Sequence, residues 1–185
     1  MEEETKNTNS TDQSIKVKWL TRTAVLLALT LAVQMVGLPQ PFTGPLVNAM
    51  LLLSGIFVGV SSGILIGLLT PGIAFMRGIL PAPLGPMIPF IMLGNGILVA
   101  IFNGTRSIFK SKRFPKKLLV SVIGLLIGAT AKFLVLSSAV KFIVQVPPKI
   151  AQAMQTPQFI TAMTGGIIAI AIEGVLTIAL TKRIE

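Results

Sequence analysis

Between Arg22 and Arg77 the chain carries no charged residue, and between Arg77 and Arg106 it again carries none. Apolar stretches of that length have no polar face to turn to water, which excludes a soluble amphipathic bundle. A bilayer core takes roughly 20 apolar residues per helix. Six segments are predicted to supply them, at approximately 20–37, 44–60, 61–80, 85–104, 118–140 and 158–181, the second and third joined at "GVSSG". A membrane β-barrel would alternate at period two in segments of about 10 residues. The runs here are about twice that length and do not alternate. Only 12% of the residues are charged, 52% are hydrophobic and the mean hydropathy is +0.84, far from the composition of a soluble domain. The expected fold is an all-α membrane protein: a six-helix transmembrane bundle over 20–185 with cytoplasmic N and C termini, preceded by a polar cytoplasmic tail at 1–19.

That tail contains "EEETKNTNSTDQS", too polar to bury a core and expected to be disordered. Lys16, Lys18 and Arg22 before an apolar run imitate the start of a signal peptide. The run is long, however, and ends in "GLPQPF" without a small-residue cleavage site, so it is expected to stay as the first helix.

The net charge is +10. With the N-terminus inside, the inner side holds Lys6, Lys16, Lys18, Arg22, Arg106, Lys110, Lys112, Arg113, Lys116, Lys117, Lys182 and Arg183, which is 12 of the 16 basic residues. This is the positive-inside pattern. "RSIFKSKRFPKK" then anchors the topology against anionic headgroups. Nucleic acid is not expected as a partner, because only two Phe interleave that patch. The chain has no Cys and no His, which removes thiol and imidazole catalysis and His/Cys metal sites. A single acid inside the spans cannot form a carboxylate pair, so no enzyme activity, metal or cofactor is expected. No G-x-x-x-x-G-K-[ST] occurs, so energy for uphill uptake must come from partners or an ion gradient.

The opposite side is different. Its loops, "GLPQPFTGPLVN", "RGILPAPLGPMIP" and "KFIVQVPPKIAQAMQTPQ", hold ten of the 12 prolines. Proline fixes φ and lowers the entropy lost on ordering a loop. Three stiff loops on one face are expected to wall and cover a pocket, although proline also serves simply to start helices.

Ionisable residues within spans are functional candidates. Glu173 lies nine residues before Lys182, roughly 13 Å above the inner boundary, and Lys132 lies fifteen residues after Lys117, about 22 Å up. The two either pair with each other, across a depth difference of about 9 Å, or serve a ligand; Glu173 is also the one candidate proton site. Asn48 and Asn95, in spans two and four, either bond across helices or touch a ligand, and Gln34 ends span one. Arg77 lies near the outer side and suits a carboxylate or phosphate. The candidate substrate-binding set is therefore Asn48, Arg77, Asn95, Lys132 and Glu173. Arg77, Lys132, Lys141 and Lys149 bias the outer half positive, which points to an anionic small molecule such as a carboxylate vitamin. Glycine pairs at 55/59, 63/67 and 124/128 have the spacing of close helix contacts.

In "RTAVLLALTLAVQ", Ala24, Ala28 and Ala32 repeat at every fourth place, one stripe of a helix. Thr23, Thr30 and Gln34 fall on the other side. Polar groups are satisfied inside a bundle rather than in lipid. The Thr/Gln face is therefore expected to point in, and the alanine stripe out, where it suits close docking of another helix.

These stretches resemble the substrate-binding S components of energy-coupling factor (ECF) transporters. "TRTAVLLALTLAVQ" is similar to the A-x-x-x-A motif of that family's first helix. "TGPLVNAMLLLSGIFVGVSSGILIGLLTP" looks like its second and third helices, and "GPMIPFIMLGNGILVAIF" like its fourth. The resemblance covers residues 20–105 well; the last two helices agree mainly in size and placement. It implies six helices with both ends inside and an outward-facing pocket for a small vitamin or precursor. It also implies a transmembrane T component, driven by two ATPases, that receives Ala24 and Ala28, with Ala32 extending the stripe. The alternative left by the residues themselves is a self-sufficient, proton-coupled secondary carrier for a small anionic solute.

Overall fold

A computed structural model describes residues 2–109 and 114–181, with side chains described over 13–109 and 115–179. Among the described residues the chain is helical throughout, without strands. Its elements are α1 (Glu2–Met35), α2 (Gln40–Phe57), α3 (Val60–Met76), a 3-10 segment (Ala82–Met87), α4 (Ile88–Ile108) and α5 (Phe114–Ser138). A π-helical turn (Ala139–Ile143), the short α6 (Pro148–Ala153) and α7 (Thr156–Thr181) complete it. Lys110, Lys112, Arg113, Lys182 and Arg183, expected as inner anchors, lie outside the described residues.

Local chemistry sets these boundaries. The polar stretch expected as a disordered tail instead continues α1, because neither Gly nor Pro interrupts the chain before Gly37 and Glu, Lys and Gln propagate a helix once it is nucleated. Gly37, at φ 73°, ends it. Gly59, at φ 130°, turns α2 into α3, with the amides of Val58 and Gly59 both donating to Ser54 O. A side chain would be strained there, so Gly59 is a turn residue and not the helix-contact residue its spacing predicts. Prolines open α2, the 3-10 segment, α4 and α6 at their first or second positions. An absent N–H costs nothing at those positions.

Four segments are long and apolar enough to cross a membrane: Gln13–Met35, Ala82–Ile108, Pro115–Ile143 and Pro148–Ala179. The apolar α3 is shorter, at 17 residues, and α2 has 18. These two lie inside. α2 packs against α1, α3, α4 and α7, and α4 against α3 and α5. Leu51, Leu52, Ile66, Leu98, Val99 and Phe102 are fully buried at the centre. Val25, Leu29, Leu93, Leu119, Ile123, Ile127, Ile160, Ile167 and Val175 are exposed on the periphery. Apolar side chains inside and out are what a lipid-embedded bundle presents. The remaining glycine pairs act as their spacing predicts. A Cβ at Gly128 would meet Leu98 O at 3.1 Å and one at Gly124 would meet Phe102 O at 3.2 Å, so α5 lies directly on the α4 backbone.

Candidate functional site

The most enclosed polar cluster begins with a helix defect. Pro71 sits inside α3 and has no N–H to give the carbonyl four residues earlier, that of Gly67. Asn95 of α4 supplies the missing donor: its Nδ2 donates to Gly67 O at 3.2 Å. Glycine gives this approach room, since a Cβ at residue 67 would stand 3.1 Å from Asn95 Cβ. With Nδ2 held by α3, Asn95 Oδ1 faces α5 and accepts from Lys132 Nζ at 2.7 Å. Lys132 Nζ also donates to Asn48 Oδ1 of α2 at 2.7 Å. Gly165 brings α7 against Asn48, because a Cβ there would stand 2.7 Å from Asn48 Cβ. Lys132, Asn95 and Asn48 are each at most 3% exposed. Three of the five expected substrate-binding residues, drawn from three helices, thus converge on one ammonium group.

Glu173 is not part of this cluster, and the pair with Lys132 considered from the sequence does not form. Glu173 instead accepts from Arg106 at 2.5 Å and meets Lys117 Nζ at 2.9 Å. The depth arithmetic places Glu173 well above both cations. The difference is made up by their long side chains, which run up along the helices while the heads reach the carboxylate. Arg106 is further held with its guanidinium 5.2 Å from the Phe102 ring centre. The cluster ties α4, α5 and α7 together at the basic end. Arg106 and Lys117, expected only as surface anchors, are the residues the sequence reading missed. A signal was available: a lone intramembrane acid needs a cation, and long Arg and Lys side chains at the basic boundary can extend toward it.

Arg77 caps α3 at the proline-rich end and is exposed, apart from the Lys132 cluster. The space between the proline-rich loops, expected to hold a pocket, is filled in part. Leu84, Met87, Ile88, Leu136, Ala139 and Met154 pack there as a second apolar core, drawn from the 3-10 segment, the start of α4, the end of α5, the π turn and the residue after α6. Short apolar segments between prolines bury themselves against each other more favourably than they line an open cup. Two buried polar atoms in this half, Gln34 Oε1 and Ser137 Oγ, have no hydrogen-bond partner among the described residues. Two surface recesses are present, the second of them at this proline-rich end. One of about 410 Å³ between α5 and α7 passes Lys117 and Glu173, and one of about 480 Å³ flanks Lys149 and Gln155.

The first helix presents two faces as expected. Thr23, Thr30 and Gln34 are buried, and Thr23 Oγ1 donates to Ser62 Oγ of α3 at 2.8 Å. Leu26 and Leu27 lean on the central core. Ala24, Ala28 and Ala32 are all exposed, a strip of methyl groups along the outside of the bundle.

No curated protein and no solved structure matches the chain. A family model does, over residues 18–185, from just before the alanine strip to the end of the chain. That span takes in the strip, the buried polar cluster and the basic end in one continuous match, well over half of the molecule, and the chain belongs to the ECF transporter substrate-specific component family.

Proposed function

We propose that the protein is the high-affinity binding subunit for a small water-soluble vitamin or precursor, serving an ATP-driven ECF importer of the cell membrane. Membership of the family makes it a membrane substrate-binding subunit and a transporter component rather than an enzyme. In this reading all six long helices cross the bilayer, with both termini on the cytoplasmic face. The solute reaches the cluster of Asn48, Asn95 and Lys132 from the proline-rich end. A transmembrane T component, coupled to two ATPases, docks on Ala24, Ala28 and Ala32.

The observation that carries the docking is the exposure of all three alanines on a helix that buries its hydroxyl and amide face. In lipid, larger apolar side chains would serve equally well at those positions. A methyl strip gains something only when another helix presses on it. Ala28→Trp is expected to leave the Tm and vitamin binding of the isolated subunit unchanged and to abolish co-purification with the T component. Loss of vitamin binding together with assembly would assign the strip to internal packing.

The self-sufficient carrier needs Glu173 as a proton site. Its carboxylate is engaged by both Arg106 and Lys117, which favours a fixed ion cluster over a cycling proton. Uptake by the purified chain alone in proteoliposomes would restore the carrier reading.

A further inference from the structure

Resting on the binding-subunit reading above, we propose that the solute is a small organic monoanion whose carboxylate serves as the counter-charge of Lys132, received between its ammonium and the Asn48 amide.

The chain has six acidic residues: Glu2, Glu3, Glu4, Asp12, Glu173 and Glu185. The first four precede the membrane segment, Glu185 ends the chain, and Glu173 is engaged by Arg106 and Lys117. Among the described side chains no carboxylate is left for Lys132. Yet Lys132 is 3% exposed in the middle of the bundle, and an ion taken out of water without a partner costs several kcal/mol. Two neutral amide oxygens solvate its ammonium but do not neutralise it. A cluster built only to fix helix packing would be satisfied by an uncharged donor at this position.

The hydrogen-bonding inventory points the same way. An ammonium has three N–H donors, and those of Lys132 meet two acceptors, Asn48 Oδ1 and Asn95 Oδ1. Asn95 spends its Nδ2 on Gly67 O, whereas the Nδ2 of Asn48 has no acceptor among the described residues. One ammonium N–H and one amide N–H, on side chains already in contact, match the two oxygens of a carboxylate. The cluster contains one cation and no arginine, so a monoanion balances it and a phosphate dianion does not. One turn beyond Lys132 on α5, Leu136 belongs to the apolar core of the cap, with Met87, Ile88 and Met154. The carboxylate therefore lies deepest, and an apolar body extends from it toward that core.

The test is a thermal-shift and calorimetric comparison of the detergent-purified full chain. Millimolar pantothenate, biotin and lipoate are set against riboflavin, pyridoxine and thiamine, and against the carboxamide of any carboxylate that binds. A carboxylate is expected to raise the Tm and its carboxamide to fail. Lys132→Met is expected to weaken that carboxylate roughly 10- to 100-fold. Asn48→Asp and Asn95→Asp each place a protein carboxylate at Lys132. Either is expected to raise the Tm of the ligand-free protein and to abolish the carboxylate shift, so the prediction survives the misfolding of one variant. A shift with a neutral or cationic compound alone, or undiminished carboxylate binding by Lys132→Met, overturns the assignment and leaves the binding-subunit reading intact. Binding of none of the compounds overturns both.

Discussion

Pro71 shows how one residue type can build a site by what it lacks. Its missing N–H frees the Gly67 carbonyl, the absence of a Cβ at Gly67 lets Asn95 approach, and Asn95 then holds Lys132. Pro71→Ala returns an N–H to the α3 ladder and puts it in competition with Asn95 Nδ2 for one carbonyl. Proline in a helix interior costs about 3 kcal/mol relative to alanine, so the variant is expected to match or exceed the wild-type Tm. Its vitamin Kd is expected to rise about tenfold, the value of one positioning hydrogen bond to a charged network. Calorimetry beside thermal denaturation reads both quantities, and an unchanged Kd would detach Gly67 from the site. The sequence alone marks Asn48, Asn95 and Lys132 as polar residues in apolar runs, and those three do meet. It gives each a position along its own helix but not the rotation of that helix against its neighbours. For that reason it leaves a Lys132–Glu173 pair open where the fold makes none. Pro71 carried a legible signal, an acceptor four residues upstream in need of a donor, but nothing local names the donor.

At the scale of elements, the ion cluster of Glu173, Arg106 and Lys117 joins α4, α5 and α7 by charge. Glu173 and Arg106 have side chains 10% and 13% exposed, while that of Lys117 is 39% exposed. Breaking a fully buried pair costs about 3–5 kcal/mol. With one cation in reach of water, Glu173→Gln is expected to cost about 2 kcal/mol, read as a lowered Tm in detergent. Vitamin binding should persist, because no residue of the Lys132 cluster touches this one. A carrier coupled through Glu173 would behave in the opposite way, with a stable fold and lost transport. The helices themselves were legible from apolar run length, and the turn between α2 and α3 from "GVSSG". The proline-rich loops were legible only as stiff. Whether stiff segments stand apart or close on one another depends on Leu84 and Met87 of the 3-10 segment, Leu136 of α5 and Met154 after α6 finding each other, which no local pattern encodes.

For the whole molecule, the two ends have opposite chemistry, and that difference has a directional consequence. Lys16, Lys18, Arg106, Lys116 and Lys117 belong to the end where α1 and α5 rise and α4 returns; ten of the 12 prolines, Arg77 and Lys149 belong to the other. A charge excess of this kind orients a membrane protein with its basic end in the cytoplasm. In the proposed function this orientation would let the Lys132 cluster receive a solute from outside while the alanine strip meets a partner within the bilayer plane. The chain has no cysteine, so a single introduced thiol reports its own location without background. Ser107 and Gln152 are both exposed, at the basic end and in α6 respectively. Gln152→Cys is expected to react with a membrane-impermeant maleimide added to intact cells. Ser107→Cys should react only after the membrane is permeabilised. The reverse pattern would put the proline-rich cap in the cytoplasm, where a subunit for uptake could not receive its solute, and labelling of both from outside would mean that the chain does not span the bilayer as a six-pass bundle.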